Sequence, residues 1–307
     1  MNHPAPPLTP GGDGILNCFK PPGVSSRELV NWVARRVRPR KAGHAGTLDP
    51  LAEGVLVLPV GAATRLVPFI HLYPKSYHAT FRFGQSSPSG DLETPLSVEH
   101  NPSIPTREEV EQAAEKLTGE ITQVPPAHSA IKVRGRRAYK AAHRGHAIDV
   151  PPRRVTIHSI KIIDYQYPDL SAEICCSTGT YVRSIGIDWA KILGTTAVMT
   201  KLTRTAVGPY PIEDAIELTP STLDHIDRYL LPMASAVGLL QKLTLDETEI
   251  EDIQHGRSIR KGWKPNESSP GQQWAAVDTQ GQLRAILVPR EDAWGPLRVF
   301  PATSQSV

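Results

Sequence analysis

The sequence has only three cysteines in 307 residues, and two of them, Cys175 and Cys176, are neighbours. Neighbouring cysteines do not form an ordinary long-range disulfide framework, so we expect reduced thiols and a cytoplasmic protein. No apolar run approaches the roughly 20 residues that a membrane-spanning helix needs. Residues 1–13 lack the basic and apolar regions of a signal peptide and are typical of a flexible Pro/Gly tail. The sequence therefore predicts neither a membrane protein nor a disulfide-stabilised secreted one.

The motifs of common cofactor sites are also missing. There is no Walker loop of the form GxxxxGKS/T and no convincing GxGxxG dinucleotide fingerprint. His143 and His146 stand three residues apart, but no cysteine or carboxylate set completes a metal site around them. The sequence predicts a function without cofactor or metal.

A net charge of +3 does not by itself indicate a polyanion partner, but the positive charges are clustered. Residues 35–41 hold five Lys/Arg in seven positions, and residues 131–154 hold eight against one acid, Asp149. These segments are either solvated basic faces or a phosphate-binding footprint. We favour the footprint because both segments flank candidate active-site elements. In the second segment, Arg136, Arg137 and Lys140 are the residues expected to contact phosphate.

The pattern of caps and alternation predicts an α+β fold. Ser25 and Glu28 form a capping box before a helix, as do Thr106 and Glu109. Residues 14–19, 54–61 and 77–84 read as strands, and residues 153–165 and 170–179 alternate with period two, which indicates paired antiparallel strands. A further helix is expected through Ile185 and Trp189.

The same patterns suggest a domain organisation. A main domain covers residues 14–242, and a basic, Pro-bounded lobe at about 124–152 is inserted into it. From residue 243 to 307 the sequence pattern changes and predicts an acidic helix followed by a hairpin turn at Gln280-Gly281. We expect a separate small β-rich domain there.

The stretch GHAGTLDPLAEG, residues 43–54, places a lone carboxylate, Asp49, in a Gly-punctuated loop. Asp followed by Pro50 is a helix-start pattern, so Asp49 could be an N-cap. However, the chain soon becomes strand-like, and Pro50 biases Asp49 toward an extended backbone. A short carboxylate projecting from such a loop suits nucleophilic or general-base chemistry.

Three more side chains are candidates. Tyr181 and Arg183 lie in STGTYVRS, and Arg183 near a helix N-terminus is unfavourable unless an anion such as Asp49 is close. The alternative is a solvated arginine beside a half-buried tyrosine. Tyr77 is either a core aromatic at a strand end or a stacking platform.

Four segments together resemble the TruB family of bacterial tRNA pseudouridine synthases. They are KPPGVSS (20–26), GHAGTLDPLAEGVLVLPVGAATRL (43–66), KSYHATFRFG (75–84) and STGTYVRSIGIDWA (177–190). Their order and spacing fit as well, over roughly residues 14–210. The region after 243 is similar, more weakly, to an RNA-binding domain of the PUA type.

The resemblance implies the pseudouridine synthase fold, a mixed, largely antiparallel sheet flanked by helices. It also implies that uridine 55 in the T arm of tRNA is isomerised to pseudouridine by a monomer, without cofactor, membrane or obligatory protein partner. Asp49 would act on ribose C1′, on the C2′ proton or on uracil C6, with Arg183 holding it ionised. Tyr181 would take the C5 proton. The substrate contacts implied are His44, Tyr77, Leu202 and Lys20.

The sequence departs from the family pattern at three places: Phe19, where Asp is usual, the Ser-rich loop after Gly84, and Thr203 in KLTRT. None of them touches the Asp49 motif. Two other functions share the scaffold: a non-catalytic RNA-binding or RNA-folding protein, and an RNA-guided synthase working with partner proteins. The intact set of candidate residues argues against the first, and the stand-alone layout against the second.

Overall fold

A computed structural model describes residues 12–126, 151–262 and 271–300, together with the backbone of 132–133 and 136–137. Most of the predicted tail and of the predicted basic lobe lies outside the described residues. The strands are β1 Gly14–Lys20, β2 Glu53–Val60, β3 Lys75–Phe83, β4 Gln85–Ser86, β5 Ser97–Val98, β6 Gly119–Gln123, β7 Lys132–Val133, β8 Arg136–Arg137, β9 Arg153–Gln166, β10 Asp169–Cys176, β11 Ala197–Val207, β12 Tyr210–Pro211, β13 Ile216–Glu217, β14 Gln241–Thr244, β15 Trp274–Val277, β16 Leu283–Arg290 and β17 Ala293–Val299. The α-helices are α1 Ser26–Arg36, α2 Val67–Ile70, α3 Arg107–Leu117, α4 Val182–Ile192, α5 Pro220–Asp224 and α6 Glu247–Gln254.

Within the described residues, nine strands form one mixed sheet in the order β13-β1-β2-β11-β3-β10-β9-β6, with β12 paired to β11. The β1–β13 and β2–β11 pairs are parallel, and the other pairs are antiparallel. The predicted α+β fold with a mixed, largely antiparallel sheet is therefore confirmed. Both predicted capping boxes are present, at Ser25–Glu28 and at Thr106–Glu109.

The β2–β11 pair joins the two halves of the sheet and sets the position of the Asp49 loop. Its register places Gly54 beside Arg204, although the two residues are far apart in the sequence. A Cβ at Gly54 would collide with the backbone of Arg204, and the φ of Gly54 is +108°. Glycine is required here because any side chain would separate the strands.

Helices cover the sheet through apolar contacts. Leu29 and Val33 of α1 pack in one buried cluster with Leu16 and Leu58 of the first strands. Helices α3 and α4 share a second cluster with β3, in which the Phe81 and Trp189 rings lie 6.3 Å apart. The Trp189 indole also donates to Val110 O at 3.1 Å, so α4 is fixed against α3. This packing determines where the start of α4 lies.

The C-terminal strands form a second sheet in the order β14-β15-β16-β17, and the hairpin turn expected at Gln280-Gly281 is confirmed between β15 and β16. Apolar residues of this sheet belong to the same buried cluster as Phe69 and Ile70 of α2. Arg65 donates to Val299 O at 2.9 Å and lies over the Phe300 ring. The division into domains at residue 243 stays a prediction. No described helix is long and apolar enough to cross a membrane.

Part of the first basic segment serves the fold. Arg36 pairs with Asp224 at 3.0 Å, and Arg40 pairs with Asp227 at 2.7 Å. Two of the five basic residues at 35–41 are therefore engaged with the chain around α5, and do not support the predicted phosphate-binding footprint.

Candidate active site

A cavity of about 470 Å³ opens between the Asp49 loop, the start of β3, the middle of β11 and the loop that precedes α4. Its volume lies within the range of about 300–1,000 Å³ that is typical of ligand sites. The structure brings five of the sequence-predicted residues to its wall: Asp49, Tyr77, Tyr181, Arg183 and Leu202. His44 and Lys20 are not among the described residues that line it.

Asp49 is not a helix cap. Residues 47–49 are irregular, a turn follows at Pro50, and strand β2 begins at Glu53. The Asp49 carbonyl accepts from Ala52 N at 3.1 Å, which closes a tight turn rather than a helix. The N-cap interpretation of Asp49-Pro50 is therefore wrong, and the carboxylate is free to face the cavity.

The backbone on both sides of Asp49 is held by buried polar side chains. Ser26 Oγ accepts from Leu48 N at 2.9 Å and donates to Leu48 O at 3.0 Å. The Arg204 guanidinium donates to Gly46 O at 3.1 Å and to Val55 O at 2.7 Å. Because these contacts come from α1 and β11, the loop has its conformation before any ligand arrives.

Lys20 belongs to the same support. Its ammonium group is completely buried and donates to Pro21 O at 2.9 Å, Val24 O at 2.7 Å and Pro50 O at 3.2 Å. Burial lowers the pKa of Lys20 to about 8, which Asp49 partly opposes. The structure thus places Lys20 beneath the Asp49 loop and not on the cavity wall, so its expected substrate contact stays a prediction.

Arg183 joins the Asp49 loop to helix α4. Its Nε lies 3.1 Å from Asp49 Oδ2, and only 3% of its side chain is exposed, against 36% for Asp49. Nη1 of the same guanidinium lies 3.3 Å from Asp91 Oδ2 and donates to Ser89 O at 2.8 Å. One buried cation therefore lies between two carboxylates.

The electrostatics of Asp49 are a balance of opposing influences. Burial raises the pKa of the Asp49 carboxyl, Arg183 lowers it as the next largest influence, and Asp91 raises it further. The net result is a raised pKa. The expectation that Arg183 favours the ionised form is consistent with the direction of its effect, but the guanidinium offsets only part of the cost of burial.

Tyr181 occupies the N-cap position of α4 with an extended backbone, φ −99° and ψ 111°, and its side chain makes no cap hydrogen bond. The phenol ring is half-buried, and the Arg153 guanidinium lies 4.7 Å from its centroid. Arg153 also donates to Gly179 O. The ring is thus fixed from one side by a cation–π contact.

Tyr77 and Leu202 lie on neighbouring strands. Tyr77 pairs with Arg204, and Leu202 pairs with Ala79, in the antiparallel β3–β11 register. Tyr77 is 9% exposed and belongs to the buried cluster of α4 as well as to the cavity wall. The two interpretations of Tyr77, core aromatic and stacking platform, are therefore compatible.

His44 is half-buried, and its Nδ1 is a buried atom with no hydrogen-bond partner among the described residues. Burial lowers the pKa of His44, and the positive charges of Arg27 and Arg204 lower it further. The imidazole is therefore neutral near neutral pH. Its predicted contact with RNA stays a prediction.

Sequence reasoning missed three charged residues of this site: Asp91, Arg204 and Lys75. Lys75 is buried and donates to His71 O at 2.9 Å, to Tyr73 O at 2.5 Å and to the Thr178 hydroxyl. Burial lowers its pKa to about 8. A signal existed for Arg204, which lies two residues after Leu202 and so shares its face of the strand. Nothing local marked Asp91.

The remaining questions from the sequence concern metal ligands and the basic lobe. No group of three or more potential metal ligands occurs among the residues that the structure describes. Arg136 and Arg137 form β8, of which only the backbone is described, and Lys140 lies outside the described residues. Their predicted role as RNA backbone contacts stays a prediction.

Two comparisons of the sequence with known proteins identify the same family. A family model described as "TruB family pseudouridylate synthase (N terminal domain)" matches residues 34–182. A tRNA pseudouridine synthase B from Rhodopirellula baltica is 39% identical over 96% of this chain and 98% of its own length. The enzyme of the same name from Thermobifida fusca is 39% identical over 80% of this chain and 86% of its own length.

Solved structures with the same fold include the chain in "Crystal Structure of a Cbf5-Nop10-Gar1 Complex". It superposes with a TM-score of 0.72 over 93% of this chain and 84% of its own, at 24% identity. A chain of "Structure of H/ACA RNP bound to a substrate RNA containing 2'-deoxyuridine" gives a TM-score of 0.71 over 95% and 86%, at 23% identity. At this identity the likeness establishes the fold alone.

Proposed function

This chain belongs to the TruB family of pseudouridine synthases, and on that premise we propose that it isomerises uridine 55 in the T arm of tRNA to pseudouridine. Family membership makes the chain an isomerase that forms pseudouridine. The tRNA substrate is inferred from relatives that are named tRNA pseudouridine synthase B. What we propose beyond this is the modified position, uridine 55, the catalytic role of Asp49 and a reaction without cofactor.

The observation that carries the proposal is the Asp49–Arg183 pair at the wall of the cavity. A carboxylate that is partly exposed, held on a fixed loop and paired with a buried guanidinium can act as nucleophile or base. Asp49 would begin the reaction by attack at ribose C1′, by removal of the C2′ proton or by attack at uracil C6. In each case the uracil must be detached, turned and rejoined through C5.

The remaining cavity residues supply binding and the final proton transfer. A uridine in a folded RNA loop must be flipped out, at a cost of about a few kcal/mol. Stacking on Tyr77 would return roughly 1–3 kcal/mol of this, with Leu202 lining the base pocket. His44 would occupy the space left in the RNA. Tyr181, which lines the same cavity as Asp49 and Arg183, would take the C5 proton as general base.

The wider organisation completes the proposal. The domain at 14–242 would be catalytic, and the lobe at about 124–152 would contact tRNA phosphates through Arg136, Arg137 and Lys140. The PUA-like region from 243 to 307 would bind RNA as well. The enzyme would act in the cytoplasm, as a monomer without a protein partner.

The test is to incubate the purified chain alone with an unmodified tRNA transcript and to map pseudouridine. We expect modification at position 55, none in a transcript with U55 replaced by C, and none with the Asp49→Asn variant. Binding without modification would indicate a non-catalytic RNA-binding protein. Modification that appears only after a guide RNA and partner proteins are added would indicate an RNA-guided synthase.

A further inference from the structure

Helix α4, which carries Arg183 in its first turn, begins differently from the other capped helices. Helices α1, α3 and α6 each begin with a capping box, in which an N-cap side chain and an N3 side chain bond each other's backbone N–H. The N-cap of α4 is Tyr181, whose side chain makes no such bond. A phenol that faces a cavity cannot also cap its own helix, so the backbone of Tyr181 needs support from elsewhere.

That support comes from Gln123, the last residue of strand β6, 58 residues earlier in the chain. Gln123 Oε1 accepts from Tyr181 N at 2.7 Å, and Gln123 Nε2 donates to Tyr181 O at 3.1 Å. In α1, Glu28 Oε2 accepts from the N-cap N–H of Ser25 at 2.8 Å. Gln123 therefore accepts from the N-cap N–H of α4 as Glu28 does in α1, but it reaches that N–H from a distant strand rather than from its own helix.

The chemistry of this contact requires a neutral group that carries both a donor and an acceptor. Gln123 is completely buried, and it must offer one donor and one acceptor at the same time. A carboxylate in its place would present only acceptors to the Tyr181 carbonyl and would bury a charge. The neighbouring residue adds a second tie, because Ser184 Oγ donates to Val124 O at 3.1 Å.

We propose that Gln123 is a positioning residue for catalysis. By holding both backbone groups of Tyr181, it fixes the start of α4 and so the places of the Tyr181 phenol and the Arg183 guanidinium relative to Asp49. The inference rests on the proposed function, since it assigns Gln123 an effect on the same reaction. Gln123 itself does not touch the reacting atoms.

The first experiment compares Gln123→Met with a matched control, Asn17→Leu. Asn17 is also buried and donates to a distant carbonyl, Pro211 O, at 2.8 Å, but it lies outside the cavity wall. We expect Gln123→Met to lower kcat at saturating tRNA about 10- to 100-fold, as small misplacements of catalytic groups do, with KM changed less than about threefold. Asn17→Leu should lower Tm by a similar amount and leave kcat within about twofold. Equal kcat values for the two variants would overturn the proposal.

The second experiment uses Gln123→Glu, which keeps the size and shape of the side chain. A protonated carboxyl offers one donor and one acceptor, as the amide does, and burial raises the pKa of a carboxyl. The kcat of this variant relative to wild type should therefore rise as pH falls, at temperatures well below Tm. A ratio that is flat with pH would show that the hydrogen bonds to Tyr181 do not matter for catalysis.

A third measurement does not need RNA, and it separates this inference from the proposed function. Amide hydrogen exchange followed by mass spectrometry should become faster in peptides that cover residues 181–185 of Gln123→Met, and not in those of Asn17→Leu. If the wild type made no pseudouridine, the proposed function would fail, while the exchange result would still decide whether Gln123 holds the start of α4. Should Gln123→Met not fold, Ser184→Ala and Gln123→Glu take its place in both assays. Unchanged exchange at 181–185 would overturn the inference.

Discussion

Asp49 and Asp91 share one cation: the Arg183 guanidinium places Nε 3.1 Å from the first carboxylate and Nη1 3.3 Å from the second. One guanidinium therefore contacts two carboxylates, and the buried aspartate competes with the partly exposed one for it. This arrangement explains why Asp91 raises the pKa of Asp49 while Arg183 lowers it.

The first prediction concerns the pH profile. Asp91→Asn removes a charge that raises the pKa of Asp49, so the acid limb of kcat/KM should move to lower pH. Asp169→Asn breaks a partly exposed ion pair with Arg82 at the start of β10 and should leave the limb in place. The profile is measured with unmodified tRNA between about pH 5 and 9. A limb that moves to higher pH would mean that Asp91 acts mainly by holding Arg183.

The second prediction is that Asp49→Asn stabilises the protein at high pH. The raised pKa means that the folded state disfavours the ionised carboxyl, so wild type loses stability as pH rises through that pKa. The amide has no such loss. The variant's Tm should exceed that of wild type at pH 8, and the difference should shrink toward low pH. Asp227→Asn, which removes the ion pair with Arg40, should not raise Tm. A lower Tm of Asp49→Asn at pH 8 would contradict the prediction.

The third prediction is that Tyr181→Phe binds tRNA normally but loses turnover, by about 10²- to 10⁴-fold if the hydroxyl is the general base. The ring and its contact with Arg153 survive in phenylalanine. Tyr165→Phe is the matched control, because that hydroxyl bonds Pro105 O at 2.6 Å away from the cavity. Single-turnover rates and tRNA affinities are measured for both variants. If only the affinity of Tyr181→Phe changed, Tyr181 would have a role in packing against the substrate rather than in catalysis.

The fourth prediction separates two roles for Lys20. Lys20→Met leaves buried carbonyls without their donor, at a cost of about 1–3 kcal/mol for such a group, and loosens the Asp49 loop at Pro50. We expect a lower Tm and a lower kcat with KM nearly unchanged. Ser26→Ala, which removes both bonds to Leu48, should show the same pattern. A raised KM with unchanged kcat would instead support the substrate contact predicted from the sequence.

The fifth prediction concerns the basic lobe. If Arg136, Arg137 and Lys140 touch phosphate, neutralising all three should weaken tRNA binding and make the slope of log affinity against log salt shallower by roughly two units. The kcat at saturating tRNA should change little. A charge-matched triple variant of exposed residues, Arg107, Lys116 and Lys161, controls for net charge. Affinities are measured between about 50 and 200 mM salt. If log affinity against log salt falls on the same line for wild type and for the lobe variant, these residues do not contact phosphate.

Local signals in the sequence predicted most of the elements because those elements depend on local chemistry. The caps of α1 and α3 are made by residues three positions apart, and β10 alternates throughout, while β9 alternates with two interruptions. Asp49 was ambiguous because the short-range pattern of Asp49-Pro50 competes with contacts from Ser26 and Arg204 that no short window contains. The structure decides in favour of those long-range contacts.

Asp91 and Gln123 could not be predicted for the same reason. Asp91 reaches Arg183 only because its loop docks on β11, where Met199 N donates to Gly90 O at 3.0 Å. Gln123 meets Tyr181 only through the order of strands in the sheet. Both contacts depend on tertiary register, which periodicity and propensity do not encode.

The hydrogen bond from Arg204 to Gly46 O joins residues that are 158 positions apart, and it has a consequence for the timing of synthesis. At roughly 5–20 residues per second, the ribosome exposes Asp49 on the order of ten seconds before it adds the arginine that holds its loop. During that interval the nascent chain carries the proposed catalytic carboxylate without the contact that holds its loop. If Asp49 is the catalytic residue, activity begins only after residue 204 has been made and β11 has paired with β2.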